Sequence, residues 1–220
     1  MLLKGTIKFL KELKENNNQE WFHRNKLRYD SLKKEFELFL NKLISEISKF
    51  DGRTKYVIPK DCIFRIYRDI RFSKDKTPYK TNFGAYISNG GRRSRYAGYY
   101  FHIEPSSSML AGGIYIPDAE VLKCVRDEIF YNVNEFKKII NSPKFKNYFN
   151  EIDGDKLKNI PKDFPKDFAE AEFLKFKSYN MVYFLKNEKI PSDDLLELSV
   201  GIFKGMYPFN EFINKAIDIM

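Results

Sequence analysis

The chain has 220 residues, a formal net charge of +9, and 43% hydrophobic against 31% charged residues. That balance belongs to a folded protein with one sizeable core and excludes a disordered chain. No uncharged apolar run is long enough for a membrane span, and the lysine-interrupted start MLLKGTIKFLKELKENNN lacks the apolar stretch of a secretory leader.

Ile7, Phe9, Leu10 and Leu13 recur at helical spacing, which predicts a helix over 6–15 with Thr6 as N-cap and the asparagines from Asn16 as its left-handed end. A second, longer helix is expected from about Gln19 to Ser48, with Trp21, Phe22, Leu32, Phe36, Phe39, Leu40, Leu43, Ile44 and Ile47 on its apolar stripe and Asp51-Gly52 as its break. After Pro59 the period falls to two. Residues 62–72 read as a half-buried strand, with Phe64, Ile66, Ile70 and Phe72 inward, Arg65, Tyr67, Asp69 and Arg71 outward, and Arg68 on the apolar side against the pattern. Further strands are expected at 82–88, 99–104 and 109–116, with GGRRSRYAG between the first two as an exposed, mobile connection and Gly112-Gly113 as a bulge or close backbone approach. Strands this near in sequence pair antiparallel. Asp118 caps a helix burying Val121, Leu122, Val125 and Ile129; helices follow near 133–140 and 144–149, and residues 153–171 are turn-rich. A strand at 179–185, a helix from Ser192 to Lys204 and a last helix starting at Pro208 complete the order. The expectation is one α+β domain over 1–220: N-terminal helices, a central, mostly antiparallel sheet, and C-terminal helices packed on it.

The charge is uneven. Residues 1–117 carry 23 basic and 12 acidic residues, and residues 118–220 carry 16 and 18. The stretch 53–98 holds 12 basic against 3 acidic residues and seven of the ten arginines, a local excess that general lysine richness does not produce. Within it, Arg65, Arg68, Arg71, Lys74, Lys76, Tyr79 and Lys80 are candidate ligand-binding residues. Guanidinium forks suit carboxylate and phosphate, ammonium groups add point charges, and Thr77-Pro78 stiffens the loop beside Tyr79. Asp69 and Asp75 are candidate bases. They serve equally as internal partners that tie the loop to the sheet. His102, with Tyr100 and Glu104 at two-residue steps on the same strand face, is a second candidate: a His–Glu pair does acid–base chemistry, and a hydrogen-bonded sheet histidine explains the same residues.

Cys62 and Cys124 form neither a metal-ligand spacing nor a disulfide framework, which points to a reducing cytoplasm with both thiols buried. No metal and no cofactor is expected: the chain lacks a zinc pattern, a dinucleotide or P-loop glycine motif and a nucleophile elbow, and Asp69 with Glu104 is the one carboxylate pair worth testing with Mg²⁺.

The block from Phe64-Arg65-Ile66-Tyr67-Arg68-Asp69 through Arg71-Phe72-Ser73-Lys74-Asp75-Lys76-Thr77-Pro78-Tyr79-Lys80-Thr81 resembles the hallmark of an uncharacterised, mainly bacterial family, domain of unknown function 2461. Asn16-Asn17 with Trp21-Phe22 and Tyr29 is similar to its opening pattern. Tyr99–Glu104, Gly112-Gly113-Ile114-Tyr115 with Pro117, then Leu157, Pro161, Lys177-Ser178 and Pro208–Phe212 extend the likeness over nearly the whole chain. Asp167-Phe168-Ala169 stands where the family commonly has Asp-His-Pro, which weakens a histidine role there. The resemblance implies a compact mixed fold and names no substrate.

Three readings stay open. One is a binding module or enzyme for a small anionic ligand, phosphate-bearing among the candidates, with Asp69 or Asp75 as base if chemistry occurs. Another is a nucleic-acid-binding protein using the basic 53–98 surface, whose affinity would fall steeply with salt. The third is a structural or protein-interaction domain in which the motif staples the fold.

Overall fold

The computed structural model describes Leu3 and residues 5–220. Its N-terminal helices are α1 (Thr6–Glu15), α2 (Gln19–Arg24), α3 (Lys26–Ile47) and the single turn α4 (Pro59–Cys62). Strands β1 (Phe83–Ile87), β2 (Gly98–Ile103) and β3 (Met109–Ile114) follow. Helices α5 (Ala119–Tyr131), α6 (Val133–Ile140), α7 (Pro143–Lys146) and α8 (Ala171–Leu174) lead to β4 (Tyr179–Phe184), and α9 (Leu195–Asp218) closes the fold. The sheet runs β1-β2-β3-β4 with every pair antiparallel. The expected α+β class, helices before and after a central antiparallel sheet, is the one observed.

Strand alternation divides this sheet into two unlike faces. Phe83, Ala85, Ile87, Tyr99, Phe101, Ile103 and Leu110 are all buried. They meet α3 and α9: Phe101 packs against Phe36 and Phe39, and Tyr99 against Phe203. Each such aromatic contributes roughly 1.5–3 kcal/mol through burial. Asn210 Nδ2 donates to the Gly98 carbonyl, and the Asn214 amide exchanges two hydrogen bonds with the Ala97 backbone, so α9 is pinned to the start of β2. The opposite face carries Gly84, Tyr86, Tyr100, His102, Met109, Ala111, Asn180, Val182 and Phe184.

Several sequence expectations are corrected. The helix expected over 19–48 breaks at Asn25, whose side-chain amide donates to the Trp21 carbonyl and competes with the backbone ladder. Gly5, not Thr6, is the N-cap of α1, and Asn16 adopts φ −125°, outside the left-handed region. Pro208 does not start a helix. It lies inside α9, where Phe203, Met206, Phe209, Phe212 and Ile213 are buried around it, and their packing outweighs the lost backbone bond. Residues 62–72 form no strand. Cys62 ends α4, Ile63 bridges Ala85, and Tyr67 bridges Tyr79 as isolated pairs. The ladder is limited to the Arg68 N–H on the Pro78 carbonyl and the Lys80 N–H on the Ile66 carbonyl, and the Asn17 side chain takes the N–H and the C=O of Tyr79 on the opposite edge. Phe72, expected inward, is 97% exposed. The 89–97 connection is anchored rather than mobile: Gly91 is buried and Arg92 donates to the Lys60 and Asp61 carbonyls at the end of α4. Cys62 is a buried free thiol and Cys124 a half-buried one.

Gly113, the penultimate residue of β3, has φ +105°, and a Cβ there would lie 2.0 Å from the Tyr179 carbonyl oxygen. We therefore expect Gly113→Ala to cost about 3 kcal/mol or more in urea unfolding. Gly52→Ala, with nothing within 4 Å of the added carbon, stays within about 0.5 kcal/mol of the parent. Equal losses in the two variants would contradict the close approach of β3 to β4.

Candidate functional site

The ribbon built from residues 66–80 carries most of the candidate residues, and its charges are largely matched internally. The Arg68 guanidinium, 26% exposed, pairs with Asp75 and donates to Thr77 Oγ1. Arg71 grips Asp69 with a bidentate contact at 3.0 and 2.7 Å. Lys76 Nζ donates to the Ile70 carbonyl. These cations hold both carboxyls below their usual range, Asp75 at about 2, chiefly through the Arg68 and Arg71 hydrogen bonds. Tyr79 is buried, stacked 3.9 Å from Phe22, and held by Asn17, so it acts as an anchor of the ribbon. Arg65 and Lys74 are exposed and, like Lys76 and Lys80, form no ion pair among the described residues. The inward placement expected for Arg68 is half right: it is partly covered, and its partner Asp75 is an exposed loop residue.

Lys80 separates from this group. It lies at the foot of the ribbon, with Nζ 5.5 Å from the Phe64 ring centre, and it lines a cavity of about 860 Å³ over the open face of the sheet. Partial burial, and then the charge of Arg65, lower its proton affinity. The floor of the cavity is one rung of the sheet, Tyr86–Tyr100–Ala111–Val182, flanked by Met109 and Phe184. Phe64 forms one wall, and Arg92, Ser94 and Arg95 another. The rim Tyr115–Asp118 follows β3; there Ile116 sits at φ +46°, an uncommon conformation for a β-branched residue, with its N–H donating to Ser178 Oγ. Asn82, Asn180 and Asp153 add polar groups. Three cations and two carboxylates line the space, and one of the cations, Arg95, is engaged by Asp118 and Glu120.

Period-two spacing along β2 brings together a second expected group. Tyr100 Oη lies 2.8 Å from His102 Nδ1, His102 Nε2 lies 3.2 Å from Glu104 Oε2, and Thr81 Oγ1 donates to Glu104 Oε1 at 3.0 Å. With Glu104 ionised, Nε2 carries the hydrogen and Nδ1 accepts from the Tyr100 hydroxyl. Burial lowers the proton affinity of His102 against the opposing pull of Glu104. Burial, with a smaller contribution from Glu104, raises Tyr100 to about 12. Both shifts favour a phenol beside a neutral imidazole. Gly84 faces His102 across the ladder, and a Cβ on it would fall 2.8 Å from Tyr100 Oη; the missing side chain is what admits the hydroxyl.

His102 and Glu104 are thus joined by hydrogen bonds, and neither touches Asp69, which Arg71 holds. Tyr86, Asn82, Asn180 and Val182 are not among the expected site residues. The available signal for Tyr86 is its place on the outer face of a strand whose inner face is apolar. For Asn82 and Asn180, which reach the site from strand ends, the sequence offers no comparable pattern. Among the described residues no cluster of three or more His, Cys, Asp or Glu side chains assembles, and no described helix is long and apolar enough to cross a membrane.

Fold and site together define an α+β domain whose sheet is covered by helices on one face and opens into a mixed apolar and polar cavity on the other. The family model described as a conserved hypothetical protein, domain of unknown function 2461, matches residues 5–212, and the chain belongs to that family. Comparison with curated proteins and with solved structures returned no match.

Arg68→Ala removes the partner of Asp75 and the donor to Thr77. We expect a loss of about 1 kcal/mol, read as a lower Tm; an unchanged Tm would mean the ribbon does not need this contact. His102 has a lower proton affinity folded than its ordinary 6.5, so below pH 6.5 the unfolded chain binds the extra proton first. Stability should fall as pH drops through that window, by at most about 1.4 kcal/mol per pH unit from this group. Urea titrations of the parent and His102→Gln between pH 7.5 and 5.5 test this; identical slopes would contradict a folded state that disfavours imidazolium.

Proposed function

We propose that the protein binds a small organic anion with an apolar body in the cavity over the open sheet face. The observation that carries this reading is a partly desolvated ammonium, Lys80, at the edge of a floor made of Tyr86, Tyr100, Ala111 and Val182. A cavity of about 860 Å³ is in the range that holds a small molecule. An ammonium with no carboxylate partner, next to apolar surface, gains most from an anion that brings its own hydrophobic area. Three lining cations against two lining carboxylates favour a single negative charge, so a carboxylate or sulfonate fits the balance better than a phosphate dianion.

This reading keeps the anionic ligand expected from the sequence and moves its centre from the ribbon tip to Lys80. The nucleic-acid alternative draws less support, because Arg53, Arg68, Arg71 and Arg95 are each engaged by carboxylates instead of forming a bare basic surface. The contacts of Arg68 and Asn17 favour a stapling role for the ribbon itself, which is compatible with a ligand site at its foot.

Anilinonaphthalene sulfonate, a fluorescent monoanion with a large apolar body, is a suitable probe. We expect saturable one-to-one binding to the native protein. Lys80→Ala should weaken it about tenfold, the equivalent of about 1.4 kcal/mol. Ala111→Phe, which fills the middle of the floor, should abolish it while the near-ultraviolet circular dichroism stays native. Binding that both variants leave unchanged would rule the cavity out.

A further inference from the structure

The cavity offers more than a place to bind. Tyr100 is both part of its floor and the end of a hydrogen-bonded row, Tyr100–His102–Glu104–Thr81. A hydroxyl in contact with a neutral imidazole nitrogen, whose other nitrogen is oriented by a carboxylate, is the arrangement that activates hydroxyl nucleophiles. Three features make it a built arrangement. Gly84 leaves the room that the Tyr100 hydroxyl occupies. His102 is 7% exposed, so its tautomer is set by Glu104 and not by water. Glu104 is itself held by Thr81 and by the Ser108 hydroxyl, which accepts from its backbone N–H.

We infer that Tyr100 is a catalytic nucleophile assisted by His102, with Glu104 as the positioning residue, and that the substrate is a monoanionic compound carrying an activated acyl group, such as an aryl ester or thioester. The inference rests on the cavity being the ligand site. Tyr100 Oη forms the bond to the carbonyl carbon while its proton passes to His102 Nδ1. The leaving oxygen or sulfur departs with the electron pair of the bond that breaks and takes that proton. Water, giving its proton to the same nitrogen, then attacks the acyl-tyrosine; the acid leaves and Tyr100 regains its hydrogen. An activated acyl donor is required because a phenol ester is itself high in energy, and that same property makes the second half of the cycle easy. The raised proton affinity of Tyr100 means that no standing phenolate exists, so its reactivity depends on the imidazole.

The probe for the first half-reaction is para-carboxybenzenesulfonyl fluoride, an aromatic monoanion in which oxygen attack on sulfur expels fluoride. The rate of sulfonylation at each tyrosine is read by peptide mass spectrometry. Tyr56 and Tyr131, which are 87% and 77% exposed and lie outside the cavity lining, serve as unassisted references in the same sample. We expect Tyr100 to react at least tenfold faster than these two despite being less exposed. His102→Gln should bring Tyr100 to the reference rate or below, Glu104→Gln should lower it partly, and the rate at Tyr56 should stay constant in both. A Tyr100 no faster than Tyr56, or equally fast in a folded His102→Gln variant, overturns the inference. If anilinonaphthalene sulfonate binds as expected while Tyr100 is unreactive, the nucleophile is disproved and the binding site stands. If the dye does not bind, the ligand site falls, and the reaction of Tyr100 with uncharged benzenesulfonyl fluoride decides the nucleophile independently.

Discussion

The alternation of β2 places the row Tyr100–His102–Glu104 and the cavity floor on the face of the sheet away from α3 and α9. Tyr99, Phe101 and Ile103 enter the aromatic core between the sheet and helices α3 and α9. The intervening residues Tyr100 and His102, with Glu104 just beyond the strand, are thereby committed to the other face. A one-residue slip would put an imidazole and a phenol into the core and two large aromatics onto the open side. The burial of Tyr99 and Phe101 alone opposes it by several kcal/mol. The site row is therefore positioned by the same energy that holds the sheet to the helices, and Asn210 and Asn214 of α9 fix the strand start from which the alternation counts.

The open face is not bare. The segment at 63–68 runs beside β1 and then folds into the ribbon that ends at Lys80. Asn17 and Phe22 fasten that ribbon from the N-terminal helices, one through the Tyr79 backbone and the other through its ring. The ion pairs at Asp69 and Asp75 stiffen its exposed end, where screening by water limits each to a modest contribution. The consequence for the site lies at the other end. Anchoring Tyr79 sets the position of Lys80, and the adjoining Thr81 meets Glu104. The basic motif thus acts on the cavity through its base and not through its most highly charged part.

Much of this was legible in the sequence, and the gaps have physical causes. The strands at 83–87, 98–103 and 109–114, and the shared face of Tyr100, His102 and Glu104, follow from period-two patterning, which is strong because one face is apolar. The stretch 62–72 has the same pattern and is not a strand, because beyond Arg68 the chain bonds to itself: Asp69 Oδ1 accepts from the Arg71 N–H, and the Ser73 N–H donates to the Ile70 carbonyl. Pro208 reads as a helix start because local chemistry says so; in α9 it lies on the exposed stripe, and the burial of the other faces of the helix overrules it. The cavity escaped notice for a related reason: its walls come from the ribbon, the 89–97 connection, the rim after β3 and β4, and no local signal links them. The density of arginine and lysine points to the ribbon tip, where Arg68 and Arg71 meet carboxylates, while Lys80, one of several ammonium groups without a carboxylate partner among the described residues, is the one that lines the cavity.

The claim that matters most is that the ligand site is the open sheet face and that Lys80 is its anion contact. Crystals soaked in para-iodobenzoate test it directly, since iodine is located by its anomalous signal. A peak over Ala111 and Val182, with the carboxylate turned to Lys80, is the expected result. Iodobenzoate found beside Arg65, Arg71 or Lys74 with an empty cavity would contradict it.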